Sequence, residues 1–131
     1  MMDAKQLQQL KQIAALKYAR LRSDMAQLAA AENSLEENLR TLAATRTKRQ
    51  DALLQESDAA QLAGADPRWH RWAESRRAAI NTELAQIKAQ RTQMISNLQK
   101  AFAQDQAIDA LLTRAKGEES RARQRRATYE S

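Results

Sequence analysis

The feature that most limits what this chain can become is a seven-residue apolar rhythm. Leu7, Ala14, Leu21, Leu28, Leu35 and Leu42 recur at every seventh position, with Lys11, Tyr18, Met25, Glu32, Leu39, Arg46 and Leu53 interleaved. Alternating steps of three and four put both sets on one side of a helix, with leucine at d and a mixed a position. The second half repeats the pattern. Ala73, Ile80, Ile87, Met94, Ala101, Ile108 and Ala115 share one heptad position, and Leu84, Arg91, Leu98, Asp105 and Leu112 the other. This predicts one helix over about 3–62 and a second over about 67–128. Gly117 weakens the second by ~1 kcal/mol relative to Ala, which opens the stretch after residue 116 to fraying.

Composition closes off the other fold classes. Alanine contributes 27 residues and leucine 15, valine is absent, and there are only two glycines and one proline. Good helix formers dominate, strand formers are scarce, and turn chemistry is almost missing, so a many-stranded sheet is excluded. Alanine fills little volume, which argues for a thin helical object rather than a thick core. A chain of 131 residues suits a single domain, 1–131.

The unusual residues gather in "GADPRWHRW", residues 64–72. Gly64 suits the left-handed end of a helix, Asp66 an N-cap, and Pro67 the first helical position. These signals predict a turn at 63–66 between two arms. The expected fold is therefore all-α, a long antiparallel two-helix coiled-coil hairpin, each arm roughly 90 Å long at 1.5 Å per residue. The closest consistent register pairs Leu39 with Met94, Leu53 with Ile80, Met25 with Ile108 and Leu21 with Leu112; a slip of one heptad is also open. Several seam positions are polar, namely Glu32, Arg46, Arg49, Arg91 and Asp105, and such residues set register at a cost in stability. Ala15, Ala29 and Ala43 on one flank, with Ala31, Ala52 and Ala59 on the other, leave room for a further helix.

Charge is placed unevenly. The net charge is +6; residues 1–22 carry five Lys/Arg against one Asp, residues 114–131 carry six against three Glu, and 23–113 carry eleven basic against twelve acidic side chains. A hairpin would bring the two basic ends together as a single cluster: Lys5, Lys11, Lys17, Arg20 and Arg22 with Arg114, Lys116, Arg121, Arg123, Arg125 and Arg126. Such a cluster suits an acidic socket or a nucleic-acid backbone. At the turn, Trp69 and Trp72 admit two readings. They fold over Leu54 and Leu62 as a cap, or they anchor a partner together with Arg68, Arg71, Arg76 and Arg77, tryptophan and arginine being favoured hot-spot types.

No residue set looks built for catalysis, cofactor binding or metal ligation. There is no cysteine and one histidine, His70, which has no second residue of suitable type. The adjacent glutamates at 36–37 and 118–119 point apart on a helix. The chain starts without a secretory pattern and has no apolar run of bilayer length, so a cytoplasmic protein is expected.

Length, two heptad arms over 3–62 and 67–128, the turn "ADPRWHRW" and the basic termini together resemble the FliJ/YscO family, stalk proteins of flagellar and related type III secretion export apparatus. The resemblance implies a two-helix coiled coil whose terminal end enters the ring of an export ATPase, with contacts to the export gate and to export chaperones. It carries no short motif and transfers no binding residue. Two other classes stand beside it: a basic coiled-coil module that binds nucleic acid, and a structural scaffold that self-associates as a homo-oligomer.

Overall fold

The computed structural model describes residues 3–55 and 59–130, and for 59–65 the backbone alone. Two helices account for them, α1 (Ala4–Gln55) and α2 (Ala59–Glu130), which pack against each other as an all-α helical hairpin. The start of α1 is fixed by a reciprocal cap. The Gln6 backbone N–H donates to Asp3 Oδ1 at 2.8 Å, and the Asp3 N–H donates to Gln6 Oε1 at 3.2 Å. The pattern Asp-x-x-Gln thus satisfies two of the donors that a helix start leaves unpaired.

The chain forms two compact units. The terminal unit joins residues 1–25 to 93–131, and the central unit comprises 26–92. In the terminal unit Leu7, Ala101 and Leu112 are buried. Lys11 Nζ reaches Asp105 Oδ1 and Asp109 Oδ2, each at 2.8 Å, and the rings of Tyr18 and Phe102 lie 6.2 Å apart. In the central unit Ala73, Ile80 and Leu84 are buried, and so is Glu32, which is 9% exposed. Glu32 accepts from Arg91 at 3.1 Å, while Arg46 meets Glu74 at 3.5 Å and Arg49 approaches Asp66 at 3.9 Å. In both units low numbers on α1 face high numbers on α2, so the helices are antiparallel. Most of the a and d positions that the heptads define are buried or half-buried, and most other positions are exposed. Two helices alone bury one stripe each, and the core is correspondingly thin.

Two expectations are corrected. Residues 63–66 do not form a turn: α2 already begins at Ala59 and carries Pro67 in its interior. Helix 1 ends at Gln55 rather than near 62, and residues 56–58 lie outside those described. The local stop-and-cap signals lose for two reasons. The stretch "AAQLAGA", 59–65, is rich in the strongest helix formers and offsets one glycine. Asp66 is also taken by other partners, with His70 Nε2 3.2 Å from its Oδ2 and Arg49 of α1 beyond its Oδ1. A seam contact thus replaces the cap.

The register is also corrected, by about two heptads. Arg46 faces Glu74, where the expected pairing would set it against residue 87. Closing the hairpin about one heptad earlier along the chain moves every cross-helix partner by twice that. Charge supplies the driving force. In the expected register Glu32 would oppose Ala101, Asp105 would oppose Leu28 and Arg91 would oppose Leu42, each a seam charge with no partner. In the observed register Glu32 meets Arg91 and Asp105 meets Lys11.

Candidate functional site

The basic residues of the two chain ends do not form one cluster. Lys11 is committed to Asp105 and Asp109, and the hydrogen bonds it donates to those two carboxylates, Asp105 first, raise its pKa above the ordinary lysine value. Its charge is spent inside the hairpin rather than offered to a partner. Lys17, Arg20 and Arg22 are exposed at the level where Tyr18 meets Phe102, and the Arg22 guanidinium lies 5.9 Å from the Tyr18 ring centre. Arg121 is 19 residues beyond Phe102 on the same helix, or ~28 Å along its axis. Lys5 comes level with Arg114, which pairs with Glu118 at 3.6 Å.

What remains at the end of α2 is a helix that, among the described residues, has no neighbour packed against it. Leu7 and Leu112 are the last buried residues of the terminal unit, and α1 starts at Ala4. From Glu118 to Glu130 every residue is exposed except Ala122, and Tyr129 is 90% exposed. Among the described residues Arg121, Arg123, Arg125 and Arg126 have no carboxylate within ion-pair distance. At 100° per residue Arg121 and Arg125 share one face, with Gln124, Thr128 and Tyr129 beside them. Arg123 and Arg126 share the opposite side. Lys116 lies just before this segment.

The second candidate, Arg68, Trp69, Arg71, Trp72 and Arg76, falls on α2 in the central unit. The two tryptophans have separate roles there. Trp69 is half-buried: the Arg49 guanidinium covers its face 4.6 Å from the ring centre, and His70 meets its edge at 5.3 Å. This cation–π contact ties α1 to α2. Trp72 is 56% exposed, 6.4 Å from Trp69 ring to ring. The capping reading fails at Leu54, which is 86% exposed; Leu62 lies outside the described side chains.

Grooves flank the seam on both sides in this unit. One, of about 360 Å³, is lined by Asn38, Thr41, Leu42 and Thr45 from α1 and by Trp69, Trp72, Arg76 and Ile80 from α2. The other, of about 450 Å³, includes Leu39, Ala43, Arg46, Ala73, Glu74 and Arg77. Of the small residues expected to leave room for another helix, Ala43 lines this second groove, Ala29 and Ala31 are half-buried, Ala15 and Ala52 are exposed, and Ala59 lies outside the described side chains. Ile13, Leu16, Ile95, Phe102 and Leu111 are exposed apolar residues of the terminal unit that the heptad reading leaves unassigned. Ile13 and Leu16 sit at outward heptad positions, so their exposure is legible in the spacing.

Among the described residues no three His, Cys, Asp or Glu side chains group as metal ligands, and no helix is long and apolar enough to cross a membrane. No family model, curated protein or solved structure matches the chain.

Proposed function

We propose that this chain is a non-enzymatic stalk or adaptor of a flagellar or type III protein export apparatus, and that it engages the export ATPase ring through the arginine-bearing end of α2. One observation carries the reading: among the described residues the last segment of α2, from Glu118, is exposed at every position but Ala122 and shows arginines without ion pairs on opposite faces. A helix that enters a socket is surrounded, so cations on several sides find carboxylates there. A phosphate backbone follows one line and favours one stripe of cations, and the run "RARQRR" has no aromatic between its arginines for base stacking. The socket reading therefore has more support than the nucleic-acid one. It assigns the contact to Lys116, Arg121, Arg123, Arg125 and Arg126, and it removes Lys11. Export gate and chaperone contacts remain further proposals of the same resemblance.

The test is capture of a purified export ATPase ring by the full-length chain. Changing Arg121, Arg123, Arg125 and Arg126 together to Glu abolishes capture, while changing Lys17 and Arg20 to Glu leaves it intact. Capture that survives the fourfold change, or that is lost equally with the Lys17 and Arg20 changes, overturns the assignment.

A further inference from the structure

We propose that the Trp72 groove of the central unit is a docking site for a single acidic, amphipathic helix of another protein. The floor is apolar where Leu42 and Ile80 meet, and the tryptophans build one wall. Trp72 is the larger exposed element, flanked one turn away on each side by Arg68 and Arg76, with Arg71 on its outer edge. Among the described residues none of these three arginines has an ion-pair partner. The α1 wall is neutral: Asn38, Thr41 and Thr45 line it, and the Thr45 hydroxyl donates to the Thr41 carbonyl at 2.9 Å.

The groove on the other side of the seam is a built-in comparison. There Arg46 and Arg77 both converge on Glu74, at 3.5 and 3.8 Å, so each of its cations already faces a carboxylate and one of their two charges is offset. The two grooves share one helix pair and similar size but differ in charge balance. An exposed tryptophan between unpaired arginines on one side only is the composition of a hot spot that awaits a carboxylate-bearing partner. A helix can set apolar residues at i, i+3 and i+4 against Leu42, Ile80 and the tryptophans, with its flanking Asp or Glu reaching Arg68 and Arg76. The tryptophans are tilted by 46° to each other, which offers no parallel platform for stacked bases. A second copy of this chain is a poor occupant, because its net charge is +6. The proposal uses no residue of the α2 terminus and stands or falls apart from the stalk reading.

Both tryptophans of the chain lie at this site, so their emission reports on it alone. The experiment selects binders to the chain from a displayed library of helical 20-residue peptides, with no depletion step, and then measures each winner against Trp72→Glu. The expected winners carry Leu, Ile or Phe at i, i+3/i+4 spacing with Asp or Glu alongside. A winning peptide shifts the emission to the blue. It binds about 30-fold more weakly to Trp72→Ala, the loss typical of a hot-spot side chain, and about tenfold more weakly to Arg68→Glu/Arg76→Glu. It binds unchanged to the fourfold arginine variant of the α2 end. Circular dichroism checks that the variants keep their helix content, and Trp72→Phe retains binding. Several outcomes overturn the proposal: winners indifferent to Trp72→Glu, winners without acidic flanks, the same emission shift from a single-stranded DNA 20-mer, or a homodimer that Trp72→Glu dissociates.

Discussion

Two charged residues in the seam decide more than most of the leucines. Glu32 is nearly buried, and its ion pair is with Arg91, half exposed across the seam. Arg91→Ala leaves the Glu32 carboxylate without its cation and lowers stability by about 1–2 kcal/mol, less than a fully buried pair because water reaches the site. Replacing both by leucine restores or exceeds the original stability, since a matched apolar pair carries no desolvation cost. Urea denaturation of the three proteins checks both statements, and a double variant as weak as Arg91→Ala refutes them. Lys11 extends the same logic to pH. Its pKa is raised in the folded state by Asp105 and Asp109. The folded protein therefore holds this proton more tightly than the unfolded chain. The stabilisation is complete below the ordinary lysine pKa and drains away as pH rises through the raised one. Thermal melts of the native chain and of Lys11→Met should differ at neutral pH and converge in strongly alkaline solution.

At the scale of the element, α2 tests how far local signals can be trusted. Gly64, Asp66 and Pro67 spell a helix start, yet the helix passes through them. Pro67 in the ninth position has no N–H for the carbonyl one turn earlier, so Pro67→Ala recovers a hydrogen bond and relieves the ring. The change should stabilise by about 1–3 kcal/mol, the upper figure being the full cost of proline in a helix interior. Were Pro67 the first residue of the helix, the same change would be neutral or harmful. A melt of Pro67→Ala separates the two cases. The heptads and the a and d residues were legible in the sequence, because burial of one stripe is a local and periodic demand. The break was not, because Asp66 serves two ways and only its contacts with Arg49 and His70 decide between cap and seam. The Asp3–Gln6 cap is readable from its Asp-x-x-Gln spacing. Of the candidate site, the exposed arginines and Trp72 were visible as residue types. The separation of the terminal arginines from α1, and the α1 residues that Trp72 faces across its groove, depend on register, which no single helix reveals.

For the whole molecule, register turns a pattern into a structure. A heptad seam looks the same after every slip of seven residues, so the apolar positions alone leave several hairpins of similar merit. The ion pairs break the tie, and they do so in each unit independently: Lys11 with Asp105 and Asp109 in the terminal unit, Glu32 with Arg91 in the central one. The chain has no cysteine, so introduced pairs can report the outcome cleanly. One turn along from the Tyr18–Phe102 contact, Leu21 comes level with Leu98, and Leu39 comes level with Ile80 beside the grooves. Leu21→Cys/Leu98→Cys and Leu39→Cys/Ile80→Cys should each oxidise to an internal disulfide. Leu21→Cys/Leu112→Cys and Leu39→Cys/Met94→Cys should not, because 14 residues along α2 place the thiols ~21 Å from a partner that must lie within ~7 Å. Mobility on a non-reducing gel reads the result. Linkage within one chain identifies a closed hairpin, and the same pairs linked between chains identify arms exchanged between two copies. Crosslinking of the second set in place of the first would return the molecule to the longer register, leave Glu32 and Asp105 facing apolar side chains, and withdraw the bare arginine segment on which the stalk proposal rests.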